Sequence, residues 1–310
     1  MVFELTILGS SSALPTANRN PTAHLLKVNE RFFLLDCGEG TQMQLRRYGY
    51  NPARINHIFI SHLHGDHVFG LFGLLSSMGM LGRKKDLHLY GPEALRDLLR
   101  HHLQYFGPLP YALKVHSPGN TADDLIYEDK HLEVRRIPLK HSTVSFGYVF
   151  REKAGQLNIR KEQIQRYGIG LEDILAIKGG NDYLDSSGRV VPNSELTHPP
   201  YRARSYAYLS DTVYDPGLVP FVEGIDLLFH ESTFESRDEA LAKKTMHSTA
   251  KQAASIARDA GVGRLLLGHF SGRYKNLDQM EAEAKEVFPN TTLVRDGDCY
   301  SLPRERRTIK

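Results

Sequence analysis

The feature that most constrains this chain is the stretch His62-Leu63-His64-Gly65-Asp66-His67, which places three imidazoles and one carboxylate within six positions. An apolar, β-prone run, Ile58-Phe59-Ile60, precedes it, and a second apolar run from Val68 to Leu75 follows it. We therefore predict a buried strand, a turn that carries the polar side chains, and a buried helix. Imidazole and carboxylate without thiolate suit Zn²⁺, with Mn²⁺ or Fe as substitutes. The stretch predicts a metal site.

The order of residues within this stretch predicts two ion positions. Residues two apart in an extended segment point the same way, so His62 and His64 can hold one ion. Gly65 allows the backbone to fold back, so that Asp66 and His67 face a second ion from the start of the helix. Asp36 ends another predicted strand, Arg31–Leu35. It is either a further ligand or a hydrogen-bond partner that orients a metal-bound histidine.

Length and composition narrow the class of protein. A chain of 310 residues, with no apolar run as long as a membrane span, fits one large globular domain or two smaller ones. The N-terminal segment lacks the basic start and apolar core of a signal peptide. Cys37 and Cys299 have no CxxC partner, and we expect both to be small buried residues in a reducing cytoplasm. The net charge of +3 permits a polyanionic partner without requiring one.

Histidine and aspartate recur directly after predicted strands. The strands that end at Ile60, Leu139, Leu209, Phe229 and Leu267 are each followed within two or three residues by His or Asp. In sheets with helical connections, ligands bind outside the carboxyl ends of the strands. The side chains that this rule brings to one edge are His62, His64, Asp66, His67, His141, Asp211 and His269.

The segment from about 153 to 204 differs from the rest of the chain. Its apolar density is low, and Gly179–Asp182 and Asp185–Gly188 are typical of turns. It is too long for an ordinary connection. Apart from one predicted helix at Lys161–Tyr167, we find no pattern for a separate core, so we interpret it as an arm inserted into a single domain of residues 1–310. A tolerated surface insertion is the alternative. Side chains that could meet nucleic-acid phosphates are Lys161, Arg166, Lys178, Arg189, Arg202 and Arg204.

A histidine outside the predicted ligand set lies in a helical stretch. The pattern from Glu239 to Ala260 is broadly helical but is interrupted by His247-Ser248-Thr249. Ser248 is a suitable residue to cap the helix that restarts there. His247 is therefore predicted to lie at a helix boundary.

These residues carry a resemblance. The HxHxDH pattern at 62–67, with a histidine, an aspartate and a histidine on later strands, resembles the metallo-β-lactamase superfamily. Four further motifs resemble ribonuclease Z, the zinc phosphodiesterase that trims the 3′ trailer from precursor tRNA: Asp36-Cys37-Gly38-Glu39-Gly40-Thr41-Gln42, His230-Glu231-Ser232-Thr233, His247-Ser248-Thr249 and Gly268-His269-Phe270-Ser271-Gly272-Arg273-Tyr274. The resemblance spans essentially the whole chain, and the arm falls where that family carries its flexible tRNA-binding arm.

The resemblance implies an α/β fold, an αβ/βα four-layer sandwich with the metals at its edge and an inserted flexible arm. It implies two Zn²⁺ per chain, a precursor tRNA substrate, and a homodimer in which one protomer's arm serves the other's site. The implied ligands of one zinc are His62, His64, His141 and Asp211, and those of the other are Asp66, His67, His269 and the bridging Asp211.

The resemblance also implies three catalytic residues. Asp66 would orient or deprotonate the attacking water, and His247 would protonate the departing 3′ oxygen. Glu231 would hold the His247 imidazole in the required tautomer.

Two alternatives stay open at this point. Another hydrolase of the same fold, such as a general phosphodiesterase or an exoribonuclease, would carry the same metal motif. An RNA-binding protein with a structural metal site would also bind tRNA, but structural zinc sites are closed and usually rich in thiolates. The predicted set contains only imidazoles and carboxylates, which favours an enzyme.

Overall fold

Two seven-stranded sheets form the core of the molecule. The computed structural model describes residues 2–117 and 124–306. The strands of the first sheet are β1 (Phe3–Gly9), β2 (Ala23–Val28), β3 (Arg31–Leu35), β4 (Ile55–Phe59), β5 (Leu87–Tyr90), β6 (Leu113–His116) and β18 (Cys299–Ser301). Their order is β18-β1-β2-β3-β4-β5-β6. Pairing is antiparallel from β18 to β3 and parallel from β3 to β6.

The second sheet repeats this division into antiparallel and parallel parts. Its strands are β7 (Asp124–Glu128), β8 (Leu132–Leu139), β9 (Ser145–Glu152), β14 (Ser205–Leu209), β15 (Leu227–Glu231), β16 (Arg264–Gly268) and β17 (Thr291–Leu293). Their order is β17-β16-β15-β14-β9-β8-β7. Pairing is parallel from β17 to β14 and antiparallel from β14 to β7.

Outside the arm, which contains α4 to α6, helices cover the outer faces of both sheets. The helices are α1 (Thr41–Arg47), α2 (Gly65–Met80), α3 (Ala94–Phe106), α4 (Lys161–Tyr167), α5 (Leu171–Lys178), α6 (Asn193–Leu196), α7 (Val219–Val222), α8 (Glu239–Thr245), α9 (Ala250–Asp259) and α10 (Asp278–Val287). One buried cluster packs α2 and α3 against the first sheet, and another packs α9 and α10 against the second. A third, rich in aromatic side chains, fills the space between the sheets. The predicted αβ/βα four-layer sandwich is confirmed.

Strand direction explains why polar side chains meet at one edge. The carboxyl ends of the parallel strands β3 and β4 lie at one end of the first sheet, and those of β14, β15 and β16 lie at one end of the second. Strand β8 runs in the same direction as β14, because each is antiparallel to the β9 strand between them. The loops that follow these strands therefore share an edge of the sandwich.

The arm has a small core of its own, so our expectation of no separate core was wrong. Two short strand pairs, β10 (Asn158–Ile159) with β13 (Thr197–His198) and β11 (Tyr183–Leu184) with β12 (Val190–Val191), accompany its helices. A cluster of aliphatic side chains is buried between these elements: Ile169, Ile177, Val191 and Leu196. These residues are too widely spaced in the sequence to form a helical or alternating pattern, which is why the sequence did not reveal them.

Several local predictions also need correction. Thr249, not Ser248, caps α9, where it forms a reciprocal capping box with Gln252. Cys37 is buried but Cys299 is exposed, because β18 pairs at the edge of the first sheet. Strands β6, β7 and β18 and helix α1 were not predicted, since their short sequences carry little periodic apolar pattern. Within residues 2–117 and 124–306, no helix is long and apolar enough to cross a membrane.

Candidate metal centre

The structure brings all the predicted ligand residues to the shared edge of the sandwich. Three of them follow the ends of β8, β14 and β16, and the others lie in the loop after β4 and in the first turn of α2. His64 is exposed at this edge, so the centre is open on one side, as catalytic metal sites are. The residues brought together are His62, His64, Asp66, His67, His141, Asp211 and His269.

The first group of ligand-type atoms comes from His62, His64, His141 and Asp211, all within 4.8 Å of one another. His62 Nε2 lies 3.0 Å from His64 Nδ1, and His141 Nε2 lies 3.2 Å from the same atom. Asp211 Oδ2 lies 3.5 Å from His62 Nε2. Two nitrogens bound about 2.0–2.1 Å from one tetrahedral ion lie roughly 3.3–3.4 Å apart. The spacing of this group therefore suits a single ion.

The second group comes from Asp66, His67 and His269. His269 Nε2 lies 3.3 Å from both His67 Nε2 and Asp66 Oδ2. The other carboxylate oxygen of Asp211, Oδ1, lies 3.2 Å from His269 Nε2 and 3.5 Å from His67 Nε2. Asp211 thus presents one oxygen to each group, which is the position that a bridging ligand requires.

The charge state of these side chains suits a divalent cation. Burial alone would raise the pKa of Asp211, but the facing His269, His67 and His62 lower it well below its usual range, so the carboxylate is ionised. Burial, with a contribution from His67, lowers the pKa of His62 to about 2, so its imidazole is neutral, as a metal ligand must be. Asp211 Oδ1 is also buried without a hydrogen-bond partner. An ion such as Zn²⁺, Mn²⁺ or Fe would satisfy it.

Asp36 orders two of these imidazoles. Its Oδ2 accepts hydrogen bonds from His67 Nδ1 at 2.7 Å and from Ser61 Oγ at 2.8 Å, and its Oδ1 accepts one from the Ser61 backbone N–H at 2.7 Å. Because the Ser61 hydroxyl donates to Asp36, it accepts from His62 Nδ1 at 3.0 Å. Both imidazoles are therefore protonated on Nδ1 and turn Nε2 toward the centre. Of the two roles left open for Asp36, this geometry supports the orienting one.

Glu231 forms a second, similar arrangement. Its Oε1 accepts from His247 Nδ1 at 3.0 Å and from the Ser248 backbone N–H at 2.9 Å. Its Oε2 accepts from the Thr233 hydroxyl at 2.8 Å, and that hydroxyl lies 2.9 Å from His269 Nδ1. Glu231 thus contacts His247 directly and His269 through Thr233.

His247 lies beside the centre, with one ring nitrogen held by Glu231. Burial would lower its pKa, but the charge and hydrogen bond of Glu231, with Asp211, outweigh burial and raise it to about 9. Since Nδ1 is bonded to Glu231, Nε2 is left for another partner. Asp211, His247 and His269 also form a third group of ligand-type atoms within 4.8 Å. However, His247 Nδ1 lies 3.9 Å from Asp211 Oδ2, farther than from Glu231.

The sequence missed three groups that support the centre, and it named Thr233 within a motif without giving it a role. For Ser61, a hydroxyl directly before a predicted ligand was the available signal. The carbonyl of Met246 accepts from His141 Nδ1 at 2.9 Å, and the Tyr208 hydroxyl donates to Asp36 Oδ2 at 2.5 Å. Neither of these contacts has a sequence signal, because each joins residues that are far apart in the chain.

Comparisons with known proteins found one family profile, close sequence relatives and similar solved structures. A profile of the family described as "Anti-Pycsar protein Apyc1" matches residues 3–107. Ribonuclease Z of Parabacteroides distasonis is 44% identical over 301 residues, which cover 97% of this chain and 99% of that protein. The crystal structure of human tRNase Z, short form, is 28% identical with a TM-score of 0.69, and the match covers 97% of this chain and 99% of that chain. The metallo-β-lactamase fold protein YhfI from Bacillus subtilis is 19% identical with a TM-score of 0.70, again over 97% and 99% of the chains, and shows the shared fold alone.

Proposed function

The chain belongs to the ribonuclease Z family, and we propose that it is a metal-dependent endoribonuclease that removes the 3′ trailer from precursor tRNA and leaves a 3′-hydroxyl on the tRNA. The observation that carries this function is the similarity to ribonuclease Z over 97% of the chain. The imidazoles and carboxylates that converge at the edge of the sandwich agree with it. The fold match to the short form of human tRNase Z extends over the same share of the chain.

We propose that two Zn²⁺ ions occupy the centre, with Mn²⁺ or Fe as possible substitutes. His62, His64, His141 and Asp211 would hold one, and Asp66, His67, His269 and Asp211 would hold the other. The two-sided position of Asp211 and its unsatisfied Oδ1 support this assignment. When bound, two such ions lower the pKa of a shared water and offset the negative charge that develops on a phosphodiester.

Three residues have proposed roles in the reaction. Asp66 orients the attacking water or accepts its proton; its Oδ2 is itself held by the Ala13 backbone N–H at 2.7 Å. His247 donates a proton from Nε2 to the departing 3′ oxygen, because Glu231 occupies its Nδ1. Glu231 is a positioning residue, since it is buried behind the ring and contacts His247 but faces no solvent.

We propose that the arm, residues 153–204, binds tRNA and takes no part in bond cleavage. None of the proposed ligands lies in it. Its exposed basic side chains are fewer than the sequence suggested, because Arg204 is buried in an ion pair with Glu152, with Nη2 to Oε1 at 2.8 Å. Arg202 is exposed, but it pairs with Asp226 at the base of the arm. The side chains that remain to meet phosphates are the exposed Lys161, Arg166 and Arg189 and the half-buried Lys178.

We also propose a homodimer in the cytoplasm. Large apolar side chains on α2 and α3 are exposed, including Phe69 at 65% and Phe106 at 77%. Phe106 stacks on His102, which stacks on Phe72, so the two helices share this face. A second copy of the chain would cover it. The two cysteines are unpaired, which supports a reducing compartment. Sedimentation velocity of the protein and of Phe106→Lys tests the dimer: a species of twice the chain mass should dissociate in the variant.

One comparison of substrates tests the function. The Zn²⁺-loaded protein is incubated with a precursor tRNA that has a 3′ trailer, with an unstructured RNA of the same length, and with a small chromogenic phosphodiester. We expect a single cut in the precursor that releases an intact trailer and leaves a 3′-hydroxyl. Stepwise release of mononucleotides would indicate an exoribonuclease, and equal rates on both RNAs a general phosphodiesterase. Binding of the precursor without cleavage would indicate a structural metal site.

A further inference from the structure

A tyrosine of the second sheet reaches across the sandwich to the metal loops of the first. Tyr208 lies in β14 and is fully buried, and its hydroxyl donates to Asp36 Oδ2 at 2.5 Å. Asp36 follows β3 of the first sheet. Tyr148 in β9 makes a similar contact, because its hydroxyl donates to the carbonyl of Ile60 at 2.6 Å. Two phenol groups of the second sheet thus form hydrogen bonds with the segments of the first sheet that lead into the metal centre.

The Tyr208 contact is a neutral donor on a charged acceptor. Burial, and then the negative charge of Asp36, raise the pKa of Tyr208 well above its ordinary value, so the phenol keeps its proton. Hydrogen bonds from a neutral hydroxyl to a carboxylate are short and about twice as strong as neutral pairs. The distance of 2.5 Å agrees with such a bond.

Asp36 transmits this restraint to both ligand groups. It contacts His67 of the second group directly and His62 of the first group through the Ser61 hydroxyl. Its backbone is in the left-handed region, with φ of 54°, a conformation that aspartate tolerates better than most residues but does not favour. The side-chain contacts, including the one from Tyr208, therefore hold the carboxylate where both imidazoles need it.

We propose that Tyr208 is a positioning residue of the metal centre, which acts through Asp36 on the imidazoles of His67 and His62. Metal affinity then depends on a hydroxyl from the opposite sheet. It therefore also depends on how the two halves of the sandwich pack against each other. The inference rests on the proposed function only in requiring that this centre binds metal.

The same strand provides a matched control. Tyr206 lies two residues earlier, is equally buried, and its hydroxyl lies 3.0 Å from His24 Nδ1. It makes no hydrogen bond to Asp36 among the contacts of the described residues. Tyr206→Phe and Tyr208→Phe each remove one buried phenolic hydroxyl and keep the ring, so their effects on packing are comparable.

The test measures metal binding without RNA. Metal-free wild-type protein, Tyr208→Phe and Tyr206→Phe are titrated with Co²⁺, which is followed by its visible absorption and by calorimetry. We expect Tyr208→Phe to weaken Co²⁺ binding about tenfold, at the lower end of the range for outer hydrogen-bond partners of ligands, and Tyr206→Phe to change it less than about twofold. The metal-free melting temperatures of the two variants should be similar, whereas the increase in melting temperature caused by Co²⁺ should be smaller for Tyr208→Phe.

A double variant tests the route. In an Asp36→Ala background, Tyr208→Phe should weaken Co²⁺ binding no further, because the hydroxyl has lost the group through which it acts. A further tenfold loss there, or equal losses in the two tyrosine variants, would overturn the proposal. Wild-type affinity in Tyr208→Phe would overturn it as well, while leaving the metal centre intact. If the wild-type protein binds no Co²⁺, the proposed centre fails together with this inference.

Discussion

Each half of the sandwich places one buried carboxylate behind the metal centre as a hydrogen-bond acceptor for its imidazoles, Asp36 in the first half and Glu231 in the second. In the first half, Asp36 contacts His67 directly and His62 through a hydroxyl, and both are proposed ligands. In the second half, Glu231 contacts His247 directly and His269 through a hydroxyl. Only one of that pair is a proposed ligand. In the proposed function, the same carboxylate and hydroxyl pattern would serve metal binding alone in the first half, and both metal binding and proton transfer in the second.

The two carboxylates are also held differently. Asp36 receives a side-chain donor from the opposite sheet, Tyr208. Glu231 is held mainly by nearby backbone N–H groups, those of Thr233 at 2.9 Å and Ser248 at 2.9 Å. The position of Asp36 therefore depends in part on how the two sheets pack, whereas that of Glu231 is set within one half. We therefore expect a change at Asp36 to lower mainly the metal content, and a change at Glu231 to lower mainly the turnover rate.

The largest effect is expected at Asp211, a residue of the second half that faces both groups of ligand-type atoms. Asp211→Ala should lose more than one equivalent of zinc by elemental analysis, because each of its oxygens faces a different ligand group. Turnover should fall by well over 10²-fold, more than for loss of an outer hydrogen-bond partner. Asp215→Ala is the control, since Asp215 lies nearby but pairs with Lys140 at 3.0 Å. Two tightly held ions in Asp211→Ala would refute the bridging role.

The second effect isolates proton transfer in the second half. His247→Ala should keep its full metal content and lower kcat on precursor tRNA by roughly 10²-fold or more, the scale of a lost general acid. Zinc analysis and steady-state kinetics on the same preparation make the comparison. His101→Ala, on the exposed face of α3, is the control. A loss of zinc that parallels the loss of activity would make His247 a ligand, in the third group of ligand-type atoms.

The third prediction compares the two carboxylates directly through isosteric changes. Asp36→Asn should weaken zinc binding by about 10- to 100-fold, since the neutral amide is a poorer partner for His67 and for the relay to His62. Glu231→Gln should mainly lower kcat, because it acts on His247, and should weaken zinc binding less, through His269 alone. Chelator competition measures the first quantity and kinetics at saturating zinc the second. Equal loss of zinc in both variants would contradict the proposed division of tasks.

The smallest effect is expected for substitutions in the arm, because they change neither Asp36 nor Glu231. Lys161→Gln with Arg166→Gln should raise KM for precursor tRNA several-fold and reduce the slope of log affinity against log salt by about 0.7–0.9 per lost phosphate contact. Hydrolysis of a small chromogenic phosphodiester should not change. Glu162→Gln, on the same helix, is the control. Unchanged KM and salt dependence would make the arm a surface insertion, and loss of the small-substrate activity with metals retained would place it in the active site.

The sequence predicted the membership of the centre because it depends on local patterns, whereas the fold class followed from the resemblance of its motifs to the metallo-β-lactamase superfamily. Strands followed by histidine or aspartate were recognisable one at a time, and the rule that ligands lie at carboxyl strand ends brought them to one edge. All seven predicted ligand residues lie there. The sequence failed where short or irregular segments carry no periodic pattern, as in the small core of the arm and in β18, which left the exposure of Cys299 unforeseen.

Only the tertiary structure decided which groups act on one another. The contact of Tyr208 with Asp36 joins residues 172 positions apart, and that of His67 with His269 joins residues 202 apart. Whether Asp36 binds metal or orients a histidine was open in the sequence, because both roles suit an aspartate at a strand end. The folded structure settles the geometry, since Ser61 and His67 of the same half and Tyr208 of the opposite sheet supply the donors that occupy its oxygens. By itself, the sequence determined which side chains reach the centre. Which of them contact one another depends on distances that only the folded chain sets.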